Sequence, residues 1–275
     1  MLNLLGEKLV NKIKQHFPLS ALTEVRIREY RNIIVKNKTS VVNTGIMADK
    51  EYINEIIDKI TNYSLYAYES ELTRGFLYYK GGIRIGIGGQ GVIKMNKFST
   101  YKDISSLCIR IPHQVIGCSK AVDFLYENFE NTLIISPPGC GKTTLIRDLA
   151  RALADNYDVL VLDERYEFYG VGKSLDLGVM TDVIQGVPKD LCFEGGIRAL
   201  SPQIIVCDEI FGQDDLAAVE KIVRSGVKIL AGMHSDSVEK IKMFLPQINN
   251  YFDNFITLSS KPCVGSIKSI IRRGK

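Results

Sequence analysis

Residues 132–147 read TLIISPPGCGKTTLIR, which is an apolar run, a loop with two glycines, and a helical pattern that begins at Lys142. In this order the loop amides and the helix N-terminus point at a single anion, and the helix dipole adds favourable potential. Gly139 and Gly141 lack the Cβ atoms that would block the anion's approach. Because a strand precedes the motif and a helix follows it, the stretch predicts a phosphate-binding loop.

The expected ligands of this loop are ATP and Mg²⁺. Lys142 is expected to reach the β and γ phosphates, Thr143 to offer its hydroxyl to Mg²⁺, and Thr144 to contact the α phosphate. The residues expected around the nucleotide are Pro138, Gly139, Cys140, Gly141, Lys142, Thr143 and Thr144. The alternative interpretation is a fortuitous glycine turn, which leaves the flanking strand and the acids downstream unexplained.

Ser136 stands where the pattern G-x-x-x-x-G-K-[ST] begins with glycine. If that position requires a left-handed backbone, serine costs on the order of 1–2 kcal/mol there. Such a cost would weaken nucleotide binding about tenfold without abolishing the site.

An acidic pair follows a second apolar run, since IIVC (204–207) leads directly into Asp208 and Glu209. Strands of a parallel sheet end at one edge, so these carboxylates are expected beside the phosphate loop. Asp208 is the predicted Mg²⁺ ligand, acting through water, and Glu209 is the predicted base for the attacking water. The alternative is an Asp-Glu pair that caps a helix. The strand DVLVLDE (158–164) intervenes between loop and acid pair, which favours the RecA-like subclass.

Polar residues also end two other predicted strands. Asp163, Glu164 and Arg165 are either a second carboxylate set near the γ phosphate or a salt-bridged strand end. His234 follows VKILAGM (227–233), where a γ-phosphate sensor would lie, although a lone histidine is more often a satisfied polar group. Glu164 and His234 therefore join Lys142 and Glu209 as catalytic candidates.

The two halves of the chain differ in pattern. Residues 1–115 alternate like half-buried strands around helical segments and predict a smaller α+β domain. Their glycine-rich run opens no helix and so does not predict a dinucleotide site. Residues 116–275 alternate short apolar strands with helices, which predicts a RecA-like P-loop ATPase domain with a parallel sheet covered on both faces. The further elements expected there are helices over 119–128 and 236–248, a long loop-containing stretch after 164, and edge strands ITLSS (256–260) and GSIKSIIRR (265–273).

Composition narrows the setting. Lys plus Arg number 35 and Asp plus Glu 31, and a net charge of +4 is too mild to predict a nucleic-acid partner. The 6 cysteines lie far apart without a CxxC pair, so no structural metal or disulfide framework is expected and a reducing compartment is favoured. No apolar stretch has the roughly 18–20 residues that span a bilayer, and no secretory signal is recognised. A cytoplasmic protein is therefore expected.

The order and spacing of several motifs resemble the stage III sporulation protein AA family, which is related to the hexameric ATPases of type II and type IV secretion. The motifs of the second half are LIISPPGCGKTTLIRDLAR, LVLDERYEFYG, DVIQGVPKD, GGIRALSPQIIVCDEI and ILAGMHS. EVRIRE, GGIRIGIGGQGV and SSLCIRIP extend the resemblance to the first half. It therefore covers essentially the whole chain.

This resemblance implies an ATPase of the mother cell in a spore-forming bacterium, bound peripherally to a membrane-embedded channel complex that faces the forespore. It also implies a homo-oligomer, expected to be a hexamer, whose N-domain closes over nucleotide. Arginines of such domains touch the γ phosphate, and Arg84, Arg110 and Arg28 fall on the matching strands. The alternative for these three is an ordinary exposed strand arginine. Arg198 precedes the strand with the acid pair, as an arginine does in secretion ATPases.

Two other functions fit parts of the sequence. The basic tail over residues 268–275 would suit an ATP-dependent nucleic-acid-binding module. Aromatic residues do not interleave with these charges as a single-strand stacking platform requires, so nucleic acid is not the expected partner. Ser136 would suit a scaffold whose ATPase activity has decayed, but the retained lysine and acid pair argue against that interpretation.

Overall fold

A computed structural model of the chain describes residues 2–80, 82–169 and 175–273. The described residues form two compact units, and the chain passes from the first to the second between His113 and Gln114. Each unit has its own sheet and its own apolar core.

The N-terminal unit, as far as it is described, is built on an antiparallel sheet in the order β3-β2-β1-β6-β5-β4. Its strands are β1 (Glu24–Arg28), β2 (Arg31–Lys36), β3 (Val41–Ala48), β4 (Phe76–Tyr79), β5 (Ile83–Lys94) and β6 (Lys97–Arg110). Its helices are α1 (Leu2–Leu5), α2 (Glu7–Lys14), α3 (Lys50–Thr61) and α4 (Glu69–Thr73), with 3-10 turns at Leu19–Ala21 and Leu65–Tyr68. This is the predicted α+β architecture.

Alternation along the strands divides the N-terminal sheet into an apolar and a charged face. In β1, Val25 and Ile27 are fully buried in a core that they share with apolar residues of α2 and α3. Glu24, Arg26 and Arg28 alternate with them and therefore lie on the opposite face of the sheet. Apolar and charged residues thus alternate along β1, the apolar ones toward the core and the charged ones on the opposite face.

The C-terminal unit has a largely parallel sheet in the order β13-β12-β7-β11-β10-β8-β9, with β13 antiparallel to β12. Its strands are β7 (Thr132–Ser136), β8 (Val159–Asp163), β9 (Thr181–Gln185), β10 (Ile204–Cys207), β11 (Lys228–His234), β12 (Asn254–Ser259) and β13 (Ser266–Arg272). Its helices are α5 (Lys142–Leu153), α6 (Lys189–Leu200), α7 (Gln213–Arg224) and α8 (Val238–Phe244), with 3-10 segments at Cys118–Leu125 and Pro246–Asn250.

Both faces of this second sheet are covered. Ile134 and Val206 face a cluster that includes the buried residues of α5, whereas Ile135 and Ile205 face a cluster that includes those of α7 and α8. The central strands are consequently apolar at successive positions, as expected for a parallel sheet. The predicted RecA-like α/β architecture is confirmed.

Three elements differ from their predictions. β9 lies within the stretch expected to be loop-containing; its residues are only partly buried, so its apolar signal is weak. β12 is an internal strand between β7 and β13, although an edge position was predicted. Residues 118–125 form 3-10 turns where a helix was predicted, with a non-helical backbone at Val122 (φ −130°, ψ 30°). The Asp148 carboxylate of α5 accepts the amides of Gly117 and Ser119 at 3.0 and 2.7 Å and ties the start of this segment to α5.

Candidate functional site

The phosphate loop connects β7 to α5. Gly139 and Gly141 have φ values of 75° and 90°, in the left-handed region that favours glycine. Gly141 is the N-cap of α5, and a Cβ there would lie 3.2 Å from the Cα of Gly265. Ser136 ends β7, is fully buried and lacks positive φ, so the conformational cost that was conditional on a left-handed backbone does not apply.

Lys142 is buried and reaches across the edge of the sheet. Its Nζ donates to the carbonyl oxygen of Asp208 at 2.8 Å and lies 3.4 Å from Asp208 Oδ1. β11 lies between β7, which precedes the phosphate loop, and β10, which ends just before Asp208. Its Gly232 leaves room for the Lys142 side chain, because a Cβ there would lie 2.2 Å from the Asp208 carbonyl oxygen and 2.8 Å from Lys142 Nζ. Gly232 was not predicted as a site residue; the signal that could have identified it is an isolated glycine inside an apolar strand.

Thr143 and Asp208 bring two oxygen groups together. The Thr143 hydroxyl donates to Asp208 Oδ1 at 3.1 Å, and the Asp208 side chain is 16% exposed. A hydroxyl and a carboxylate are hard oxygen donors of the kind that Mg²⁺ prefers, and Mg²⁺ usually keeps water and phosphate oxygens as its other ligands. These residues therefore fit the predicted ion. Within the described ranges no group of three His, Cys, Asp or Glu side chains forms a metal site of its own.

Glu209 is buried between two basic side chains. Its Oε1 lies 3.5 Å from His234 Nε2, and its Oε2 lies 3.7 Å from Arg165 Nη1. The His234 Nδ1 is 3.1 Å from the carbonyl oxygen of Ser136, so the imidazole connects the end of β7 to Glu209. Glu164 lines the same recess as Asp208 and Glu209. The structure thus brings the predicted residues of the second domain to one edge of the sheet.

Asp163, in contrast, stabilises the loop that follows β8. Its carboxylate accepts the amides of Glu167, Phe168 and Tyr169 at 2.6, 3.0 and 3.0 Å and the side-chain amide of Gln185 at 2.8 Å. Asp163 is 1% exposed. Of the two interpretations left open for the segment 163–165, neither describes Asp163, because backbone amides occupy its oxygens.

Cys207 immediately precedes the acid pair, but it belongs to the core. Burial raises the pKa of its thiol to about 12. A thiol of such high pKa is protonated at neutral pH and therefore a poor nucleophile. Arg198 lies on α6 and is exposed.

The predicted arginines of the N-terminal unit lie on the charged face of its sheet. Arg84 of β5 and Arg110 of β6 are direct cross-strand partners, and Arg28 of β1 is paired with Ser106. The Arg84 guanidinium lies 4.0 Å from the Phe76 ring centroid. The Arg110 Nε is 3.9 Å from Glu24 Oε2. The two arginines therefore form one basic spot on this unit.

Glu24 stands beside that spot and is held ionised. Arg26, which donates at 2.7 Å, and Lys36, also at 2.7 Å, lower the pKa of Glu24 to about 2, although its burial opposes the shift. Glu24 consequently engages Arg26, Lys36 and Arg110 on three neighbouring strands.

The fold defines the class of architecture: a RecA-like α/β domain, preceded in the chain by a domain with an antiparallel sheet. The pilus retraction motor PilT, solved with bound ADP, superposes with a TM-score of 0.64 at 11% identity over 90% of this chain and 76% of that one. The ATPase DotB of Yersinia pseudotuberculosis superposes with a TM-score of 0.62 at 14% identity over 92% and 75% of the two chains. At such identities the likeness concerns the fold.

Sequence relatives identify the family. The sequence model for sporulation stage III, protein AA matches residues 1–275. Stage III sporulation protein AA of Bacillus subtilis (strain 168) is 31% identical over 265 residues, which are 90% of this chain and 86% of that protein. The chain therefore belongs to the stage III sporulation protein AA family, as its motifs predicted. Among its described helices, none is long and apolar enough to cross a bilayer.

Proposed function

We propose that this protein is a Mg²⁺-dependent ATPase that acts as a motor in sporulation. One observation carries the proposal: at one edge of the sheet the structure brings together Lys142, Thr143, Asp208, Glu209 and His234. They lie next to the loop whose glycines, Gly139 and Gly141, have a left-handed backbone conformation. This set contains a phosphate-binding cation, oxygen donors for a metal ion, and a buried carboxylate able to take a proton from water.

In the proposed mechanism, the loop amides and the N-terminus of α5 hold the phosphates of ATP. Lys142 leaves the Asp208 carbonyl oxygen and pairs with the phosphates, since its long side chain already points along the edge of the sheet. Thr143 and, through water, Asp208 would hold Mg²⁺, whose positive charge would stabilise the phosphate oxygens. Glu209 orients the attacking water and accepts its proton, and His234 connects Glu209 to the end of β7.

The proposal includes a homo-oligomer, expected to be a hexamer. Arg84 and Arg110 are cross-strand neighbours on the charged face of the N-terminal sheet, Arg110 exposed and Arg84 half-buried, and in this proposal they act on the nucleotide of a neighbouring subunit. An arginine supplied in trans contributes roughly 10³–10⁵ in rate to phosphoryl transfer. Isolated subunits would therefore hydrolyse ATP slowly, and assembly would complete the site.

We place the motor on the mother-cell side of a membrane-embedded sporulation complex, as a cytoplasmic and peripherally bound protein. The support is family membership together with the fold shared with the pilus retraction motor PilT. Under this proposal, ATP hydrolysis performs work on the membrane complex.

The decisive experiment measures phosphate release and molecular mass in parallel. Purified full-length protein with Mg²⁺ and ATP is expected to release phosphate with a specific rate that rises with protein concentration. Light scattering with a slowly hydrolysed ATP analogue should show a larger assembly than without nucleotide. Failure to release phosphate, by an assembled protein that binds ATP, would overturn the enzymatic proposal.

A further inference from the structure

A buried lysine outside the predicted site lies directly behind the acid pair. Lys189 is the first residue of α6 and is 8% exposed. A buried ammonium group requires hydrogen-bond partners, because desolvation of an unpaired charge is very unfavourable. Its Nζ donates to the backbone carbonyl oxygen of Glu209 and lies 3.3 Å from Asp215 Oδ2. Lys189 therefore connects the residue predicted as the catalytic base to the first turn of α7.

Lys189 and Asp215 also contact the segment between Glu209 and Asp215. The Asp215 carboxylate also accepts the backbone amide of Phe211 at 2.7 Å. The Phe211 ring contacts two cations, with its centroid 5.1 Å from Lys189 Nζ and 4.7 Å from the Arg165 guanidinium. Each cation favours the face of an aromatic ring. Lys189 thus contacts the segment at its beginning, at its middle and at its end.

We propose that Lys189 is a positioning residue for Glu209, acting through the backbone of residues 209–215 and through Asp215. The inference rests on the proposed function, since it assigns to Lys189 the orientation of that function's base. Lys189 binds a backbone carbonyl and a neighbouring carboxylate, so its charge offsets the acidic surroundings while both oxygens of Glu209 stay available to other groups.

This role predicts a defined separation of effects. Nucleotide binding depends on the phosphate loop, which Lys189 does not contact, whereas water activation depends on the orientation of Glu209. Replacing Lys189 should therefore lower kcat and leave the affinity for ATP nearly unchanged. Because Lys189 acts through Glu209, its replacement should have little further effect once Glu209 has lost its carboxylate.

The test compares Lys189→Met, Glu209→Gln and the double variant in full-length protein. Lys228→Met is the control, because Lys228 is an exposed lysine at the start of β11, the end of that strand away from His234. Lys189→Met is expected to lower kcat at least tenfold, with the dissociation constant of a slowly hydrolysed ATP analogue within threefold of wild type. The double variant should be within threefold of Glu209→Gln. Asp215→Asn, which leaves the lysine in place, should lower kcat in the same direction by a smaller factor.

Hydrogen exchange supplies a readout that does not depend on hydrolysis. Amides of residues 209–215 should exchange at least tenfold faster in Lys189→Met, with those of α5 unchanged. Turnover within twofold of wild type, an equal loss of nucleotide affinity and turnover, or unchanged exchange at 209–215 would overturn the positioning role. If wild-type protein binds ATP without hydrolysing it, the proposed function fails, while the exchange data still decide whether Lys189 orders this segment.

Discussion

The two sheets of this protein bury apolar surface in different ways, and the difference determines where chemistry is located. The antiparallel sheet of the N-terminal unit packs one face against an apolar core. Apolar and charged residues therefore alternate along β1, and its charged residues lie on the other face. The parallel sheet of the C-terminal unit is covered on both faces, so its central strands are apolar and polar groups are confined to their ends. A compact site forms in the second case, and a broad charged surface in the first.

The largest expected effect comes from removing the cation of the compact site. Lys142→Ala should abolish detectable ATP turnover and lower nucleotide affinity at least a hundredfold, because no other described lysine contacts Asp208. Isothermal titration with ATP and a phosphate-release assay measure the two effects. Lys228→Ala is the control and should behave as wild type, because Lys228 is exposed at the start of β11, the end of that strand away from His234. Turnover by Lys142→Ala above one tenth of wild type would contradict the assignment.

The second prediction separates binding from chemistry at the same sheet edge. Glu209→Gln keeps the shape of the side chain but removes the base, so kcat should fall by about 10²–10⁴ while ATP stays bound. Single-turnover measurements and nucleotide titration check this result. Glu220→Gln, on the surface of α7, should change neither. An active Glu209→Gln would remove the proposed base.

The third prediction asks whether the charged face of the N-terminal sheet takes part in hydrolysis. The double variant Arg84→Ala and Arg110→Ala should lower kcat about a hundredfold, since both guanidinium groups are proposed to act on a neighbouring subunit. Its stability should fall by about 1 kcal/mol or less, because Arg84 loses its contact with the Phe76 ring and Arg110 loses its exposed pairing with Glu24.

Subunit mixing makes the third prediction sharper. Adding Lys142→Ala subunits to this double variant should restore measurable turnover, because each partner supplies what the other lacks. Arg31→Ala, an exposed arginine at the start of β2, is the control. Absence of recovery in mixed assemblies would return both residues to the role of ordinary surface arginines.

A smaller effect is expected from a methyl group inside the covered sheet. Gly232→Ala places a Cβ against the Asp208 carbonyl oxygen and Lys142, so ATP affinity should fall about tenfold and stability by about 1–3 kcal/mol. Gly195→Ala meets open space in the middle of α6 and should be neutral or slightly stabilising. Calorimetry and nucleotide titration distinguish the two. Equal behaviour of the two variants would exclude Gly232 as the passage for Lys142.

The smallest effect concerns a charge on the charged face of the N-terminal sheet. The pKa of Glu24 is lowered to about 2 by Arg26 and Lys36, so its ionisation stabilises the fold above its ordinary pKa near 4.5 and ceases to do so as pH falls through about 2. Glu24→Gln should therefore lose about 1 kcal/mol at pH 7, a value limited by solvent screening. Urea unfolding should show the difference from wild type shrinking between pH 4.5 and 2. A difference that grows on acidification would reverse the assigned sign.

Much of this protein was predictable from local patterns. The apolar run before Ser136 and the glycines at 139 and 141 predicted a strand, a loop and a helix in that order, and the structure contains them. The carboxyl ends of parallel strands share an edge, so the sequence predicts Asp208 and His234 near the loop. Patterns failed where the signal was weak, as in the partly buried β9, and where the backbone departs from helical geometry inside a helical pattern, as at Val122 in the 3-10 turns of residues 118–125.

The roles of individual neighbours were not readable from the chain. Asp163 and Glu164 are adjacent and equally acidic, yet the first accepts backbone amides and the second lines the recess with Glu209. Lys189 lies 20 residues before its carbonyl partner, so nothing local marks it as buried behind the acid pair.

Sequence alone determined the family, the two-part architecture and the residue types available at the sheet edge, because periodicity and short motifs are local properties of the chain. Tertiary structure alone decided that Gly232 lets Lys142 pass, that His234 connects Ser136 to Glu209, and that Lys189 lies beneath the acid pair. These are contacts between strands and helices far apart in sequence. Their geometry is set by how the sheet is ordered and covered, which no local pattern encodes.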